Sequence, residues 1–240
     1  MSIPGLIRLG DNTLVLGQRL SEWCGHAPAL EEDIALANTA LDLIGQTQLW
    51  LGLAAEREGQ GRTADTLAYH RDAWDFRNLL LVEQPNRDFG VTMMRQFLFD
   101  SWHLAALTAL CDHPDAEISA IAQKSVKEVT YHRERSTDTV IALGDGTDES
   151  HTRMQSALDR LWPYVGEMFT TDADDLTDMA ALRPVFDAHV HAALAEATLA
   201  RPDNDFAHQG GKTGARHSEH LGHMLTTMQV LPRSYPDASW

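Results

Sequence analysis

Lysine is scarce in this chain: Lys124, Lys127 and Lys212 are the only three in 240 residues. Lys and Arg together number 19 against 35 Asp and Glu, a formal charge of −16 at pH 7. So acidic a surface repels phosphate backbones and anionic headgroups, which argues against nucleic acid and membranes as partners. Cysteine is scarcer still. Cys24 and Cys111 are the only two, and their apolar helical context leads us to expect reduced core thiols in a cytoplasmic protein. Long apolar runs are missing, with no stretch of the ~18 residues that a membrane-spanning helix needs. The opening MSIPGLIRLGDN has one Arg and no long apolar core, so a secretory signal is not expected. Strand alternation and hairpin signals are absent too. With no internal repeat and no linker composition, the expectation is all-α and a single domain over residues 1–240.

The most informative stretch is residues 92–135. It predicts two helices joined by a Pro-containing turn at Asp112–Asp115. Met93, Phe97, Asp100, Leu104, Leu107 and Cys111 recur every three or four residues, a stripe whose only charged member is Asp100. On the next helix Ile118, Ile121, Ser125, Val129, His132, Ser136 and Val140 form a second stripe, with His132 its only titratable member. Elsewhere Asp11 reads as the N-cap of a short helix through about Trp23, on which Val15, Gln18 and Glu22 share a face. A largely buried helix is predicted over 30–58, with Asn38, Asp42 and Gln46 in one polar row. That row faces either water or a polar interior, and the interior is favoured. Further helices are expected over 64–82, 149–169, 183–199 and 216–230. The acidic TTDADDLTD (170–178) reads as a mobile insertion.

A carboxylate and an imidazole facing inward from neighbouring helices point to a metal site in a bundle. The di-iron version takes a Glu from each of two helices and a Glu-x-x-His pair from each of two others. No Glu-x-x-His occurs in the chain. Where one should fall the sequence reads V-T-Y-H, with Val129 at the Glu position. A buried Asp100 without metal then needs other partners, and His132 or an inward Arg is expected. The similar pairs Asp148/His151 and Asp205/His208 fall at helix starts or in loops, where capping explains them. His208, His217, His220 and His223 have spacing that could hold zinc, but the apolar face of that helix favours a half-exposed histidine face. GGKTG (210–214) lacks the earlier Gly of a phosphate loop, Phe206 standing in its place. A basic loop touching phosphate through Lys212 and Arg216 is the weaker residual reading. No nucleophile elbow or reactive thiol is evident.

GQRLSEWCGHAP (17–28), DIALANTALDLIGQ (33–46), NLLLVEQPN (78–86) and HSEHLGHML (217–225), with the central stretch, resemble the PaaC family over nearly the whole chain. That family is the ferritin-like structural subunit of the phenylacetyl-CoA 1,2-epoxidase complex. The resemblance implies a ferritin-like helical bundle with additional C-terminal helices. It also implies a catalytic PaaA-type partner that carries the di-iron centre, and other subunits of the complex. On this chain it implies no catalytic residue and no bound cofactor. Vestigial ligand positions are implied at Glu22, Asp42 (with Gly45 in the lost His position), Asp100 and His132, with Val129 replacing a ligand Glu.

Three functions follow. The first is a non-catalytic scaffold subunit in aerobic phenylacetate degradation, with self-association as a homodimer when the partner is missing. The second is a self-sufficient ferritin-like metalloenzyme using Glu22, Asp42, Asp100, Glu128 and His132. The third is a small-molecule binding bundle without chemistry.

Overall fold

The computed structural model describes residues 2–203, 206–236 and 238. Its α-helices are α1 (Ile3–Ser21), α2 (Leu30–Glu58), α3 (Ala64–Tyr69), α4 (Leu80–Glu83), α5 (Phe89–Leu110), α6 (Ala116–Gly144), α7 (Asp148–Leu161), α8 (Arg183–Glu196), α9 (Glu219–Met228) and α10 (Val230–Ser234). Among the described residues there is no strand, and no helix is long and apolar enough to cross a membrane. The expected all-α class stands, with the long helices of a ferritin-like bundle. The helices fall into two compact units, Met1–Pro85 with Gln209–Trp240, and Asn86–His208.

In the first unit α1 packs along α2. It starts nine residues earlier than expected, because Ser2 caps the Gly5 amide and Pro4 sits in the first turn. Asp11 is therefore not an N-cap. It lies inside α1, fully buried. Its carboxylate accepts from both terminal nitrogens of Arg71, one at 3.0 Å, and from the Arg77 amide at 2.8 Å. That demand also explains why 64–82 is not one helix. After α3 the chain turns to bring Arg71 and the Arg77 amide to Asp11. Asp72 and Asp75 cap the intervening 3₁₀ turn, Ala73–Asp75, from both sides. The helix then resumes only for the single turn of α4.

Residues from Gln209 onward fasten to this unit through Glu83. Its buried carboxylate receives Asn78 Nδ2 (3.0 Å), His217 Nδ1 (2.5 Å), and the Ser218 amide and hydroxyl (both 2.7 Å). The GGKTG loop is part of the same closure. A Cβ on Gly211 would stand 2.5 Å from the Asn78 carbonyl, and Arg8 Nε donates to the Lys212 carbonyl at 2.8 Å. Lys212 is buried, so this loop is packed structure and not an exposed basic finger. Cys24 also departs from expectation. It is exposed in the turn after α1, and Cys111 is half-buried at the end of α5.

In the second unit α5 and α6 pair as the central stretch predicts, with α7 and α8 against them. Asp88 caps α5 and Asp115 caps α6. The helix expected over 149–169 ends at Leu161, because Pro163 converts the remainder to short 3₁₀ turns. There the Met168 carbonyl accepts from Trp102 Nε1 at 3.1 Å. The acidic 170–178 segment binds its own backbone: Asp175 accepts from the Asp172 amide at 2.9 Å, and Thr171 donates to Asp178 at 2.8 Å.

Replacing Asp11 with Ala leaves the Arg71 guanidinium buried without its carboxylate. The unfolding free energy is expected to fall by about 3–5 kcal/mol, read as a lower urea midpoint followed by circular dichroism.

Candidate functional site

The second unit buries a polar cluster between α5 and α6. Asp100 is fully buried. One oxygen accepts from Gln96 Nε2 at 2.7 Å and the other from Ser136 Oγ at 2.9 Å. The expected donors, His132 or an arginine, are not the ones bonded to it. Gln96 stands one helical turn before Asp100, and Ser136 one turn after His132. Both reach the carboxylate from the two helices that carry Asp100 and His132. Burial pushes the Asp100 carboxyl up to about 6, opposed by His132, then by Ser136, Gln96 and Arg135.

Beside it lies His103, 1% exposed, with Phe99 and Trp102 rings at 4.9 and 6.1 Å. Neither of its ring nitrogens has a hydrogen-bond partner among the described residues. Burial, and secondarily His132, lowers it to about 3, so it is a neutral, inert imidazole at physiological pH. Val129 is fully buried on the same face of α6 as His132, and Glu128 next to it is half-buried.

The remaining predicted positions are in the first unit. Glu22 is the cap residue after α1, and its carboxylate pairs with Arg19 at 2.9 Å with 29% of the side chain exposed. On α2, Asn38 is exposed, Asp42 half-buried and Gln46 buried, so only one end of that polar row is inside. Gly45 borders open space. The four histidines do not converge. His217 precedes α9 and bonds Glu83 and the Phe76 carbonyl, His223 is exposed, and His208 stacks on Tyr164 at 4.7 Å. His151 Nδ1 caps the Gly144 carbonyl at 2.8 Å, as a capping role requires. Asp205 lies outside the described residues.

A di-iron cage does not fit what α5 and α6 present. Both Asp100 oxygens are already taken by protein donors, and Val129 offers no donor atom. Among the described residues no three His, Cys, Asp or Glu side chains gather as a metal site. The arrangement is a buried hydrogen-bond cluster in which Gln96 and Ser136 occupy the two oxygens of Asp100. Sequence reasoning singles out Asp100, His132 and Val129 but passes over Gln96 and Ser136. Ser136 is on the recognised stripe, and Gln96 sits four residues before Asp100, so both are open to a search for donors one turn away.

The chain matches the model of the phenylacetic acid catabolic protein family over residues 2–240. It is 47% identical over 242 residues to one of the subunits of the 1,2-phenylacetyl-CoA epoxidase of Escherichia coli (strain K12), covering 98% of this chain and 97% of that relative.

Because the folded Asp100 carboxyl titrates near 6 against an ordinary 3.8, the folded state holds the proton more tightly than the unfolded one. The stabilisation from that proton is full below pH 3.8 and is lost as pH rises through 6. Asp100→Asn keeps an acceptor for Gln96 and can donate to Ser136. The variant is expected to gain up to about 3 kcal/mol over the parent at pH ~7.5, the gap closing toward pH ~4 in paired urea titrations.

Proposed function

The chain belongs to the phenylacetic acid catabolic protein family, and on that premise we propose that it is a non-catalytic structural subunit of a phenylacetyl-CoA 1,2-epoxidase. In this reading it pairs with and stabilises a PaaA-type subunit whose own di-iron centre activates dioxygen in the cytoplasm, and it binds no iron itself. The observation that carries the reading is the closed state of the α5–α6 cluster. The carboxylate that would ligate a metal is satisfied by Gln96 and Ser136, and the neighbouring ligand position is the hydrocarbon of Val129. Without chemistry of its own, a chain of this family acts by contact.

A surface suited to that role is present on α2. Leu30, Ile34, Leu41 and Ile44 are 71%, 52%, 66% and 37% exposed and recur at helical spacing. Asn38 and Gln48, also exposed there, are uncharged, and the acid Glu31 stands at the N-terminal end of the same face. By contrast α5, which the sequence also offers as an interface, buries its apolar surface almost entirely within the chain.

The test is size-exclusion chromatography of the chain alone and mixed with the PaaA-type subunit, with iron and turnover measured on each fraction. Co-elution with iron following the partner is expected, and Ile34→Asp with Leu41→Asp should abolish co-elution while leaving the helical circular dichroism unchanged. Iron in the isolated chain, or epoxidation by it unaided, would defeat the reading. Val129→Glu alone is expected to bind no iron and to destabilise the chain, since it buries a carboxylate that has no prepared donors.

A further inference from the structure

A groove of about 460 Å³ opens between α5, α6 and the start of α8. Leu104, Ala109, Val126, Leu182 and Val185 give it apolar walls, and Arg133 is the only charged residue among those lining it. The other inward arginines each have a job. Arg19 bonds Glu22 and the Glu83 carbonyl, Arg71 bonds Asp11, and Arg95 bonds Asn86. Arg133 has no such side-chain bond. Its Nε, like that of Arg95, is shut off from water with no acceptor, and among the described residues no acid pairs with the Arg133 guanidinium. The positions one turn away on α6 are Val129, Thr130, Ser136 and Thr137, none of them acidic. On α8, His189 is bonded to Thr137 at 3.1 Å and is held below its ordinary value by burial and by Arg133. It supplies no negative charge. An unpaired guanidinium at the end of an apolar groove, in a chain of net charge −16, is a built-in complement for an anion with a hydrocarbon body.

We propose that this groove binds a small aryl- or alkyl-alkanoate, with its carboxylate on the Arg133 fork and its apolar end against Leu104, Val126 and Leu182. The guanidinium suits a planar carboxylate because its paired N–H groups match the two oxygens. The volume lies at the lower end of the ~300–1,000 Å³ range of small-ligand pockets, room for one ring and a short chain. The single charge among the lining residues calls for one anionic group on an apolar body. The assignment stands apart from the subunit role and does not depend on it.

The full chain is titrated with phenylacetate, hexanoate and the neutral phenylacetamide, using ligand-observed NMR and calorimetry. Saturable binding of both acids is expected, with the amide roughly ten- to a hundredfold weaker, as loss of a charge-assisted bond implies. Arg133→Gln should weaken the acids by the same factor, and Ala109→Trp should abolish binding by filling the groove. Equal affinity for acid and amide in the parent chain would overturn the proposal without recourse to any variant. So would acid binding that survives both substitutions, or no saturation by about 10 mM, well beyond millimolar affinity. If no acid binds and Ala109→Trp instead breaks co-elution with the catalytic subunit, the groove belongs to a protein partner and the proposal fails.

Discussion

A carboxylate taken out of water must be given donors, and three of the fully buried carboxylates, Asp11, Glu83 and Asp100, shape the backbone around them. Asp11 gathers Arg71 and the Arg77 amide, Glu83 gathers Asn78, His217 and Ser218, and Asp100 gathers Gln96 and Ser136. The desolvation of each charge costs several kcal/mol, and the backbone around each is shaped by the need to offset it. Asp11 interrupts what would otherwise be a continuous helix. Glu83 closes a loop of more than a hundred residues. Asp100 is hydrogen-bonded by two neutral donors, and burial holds its carboxyl up at about 6 against the opposing His132 and Arg135.

The fold class and the central helices are legible because their signals are local. The α2 limits follow from its periodicity and the Gly59 stop, and α5 and α6 from two clean stripes broken by His113-Pro114. What is not legible depends on partners distant in sequence. Nothing near Asp11 announces that Arg71 will reach it, so a mid-helix acid reads as a cap. Nothing near residues 64–82 reveals that Arg71 and the Arg77 and Leu79 amides serve α1, so a broken segment reads as one helix.

The polar cluster is half legible for a related reason. Inward-facing titratable residues stand out against an apolar stripe, so Asp100, His132 and the substituted Val129 can be picked out. Neutral donors such as Gln96 and Ser136 do not stand out in the same way, yet they decide whether a buried carboxylate is a ligand or a sealed group. Family resemblance carries the reading from a degenerate metal site to a subunit of an assembly, a step the residues alone leave open among three functions.

The return of residues 209–234 to the first 85 has a bearing on how the chain matures. Residues 86–208 are all synthesised before Ser218, so every partner within that middle portion is made before the N-terminal portion has its last one. The N-terminal portion waits with the Glu83 carboxylate and the surface beneath the Gly210–Gly214 loop uncovered. A truncation that spared every helix of the middle portion but removed the last thirty or so residues would therefore strand a hydrated acid at the heart of α1–α4. The order of synthesis, N-terminus first, is reversed here in the order of completion.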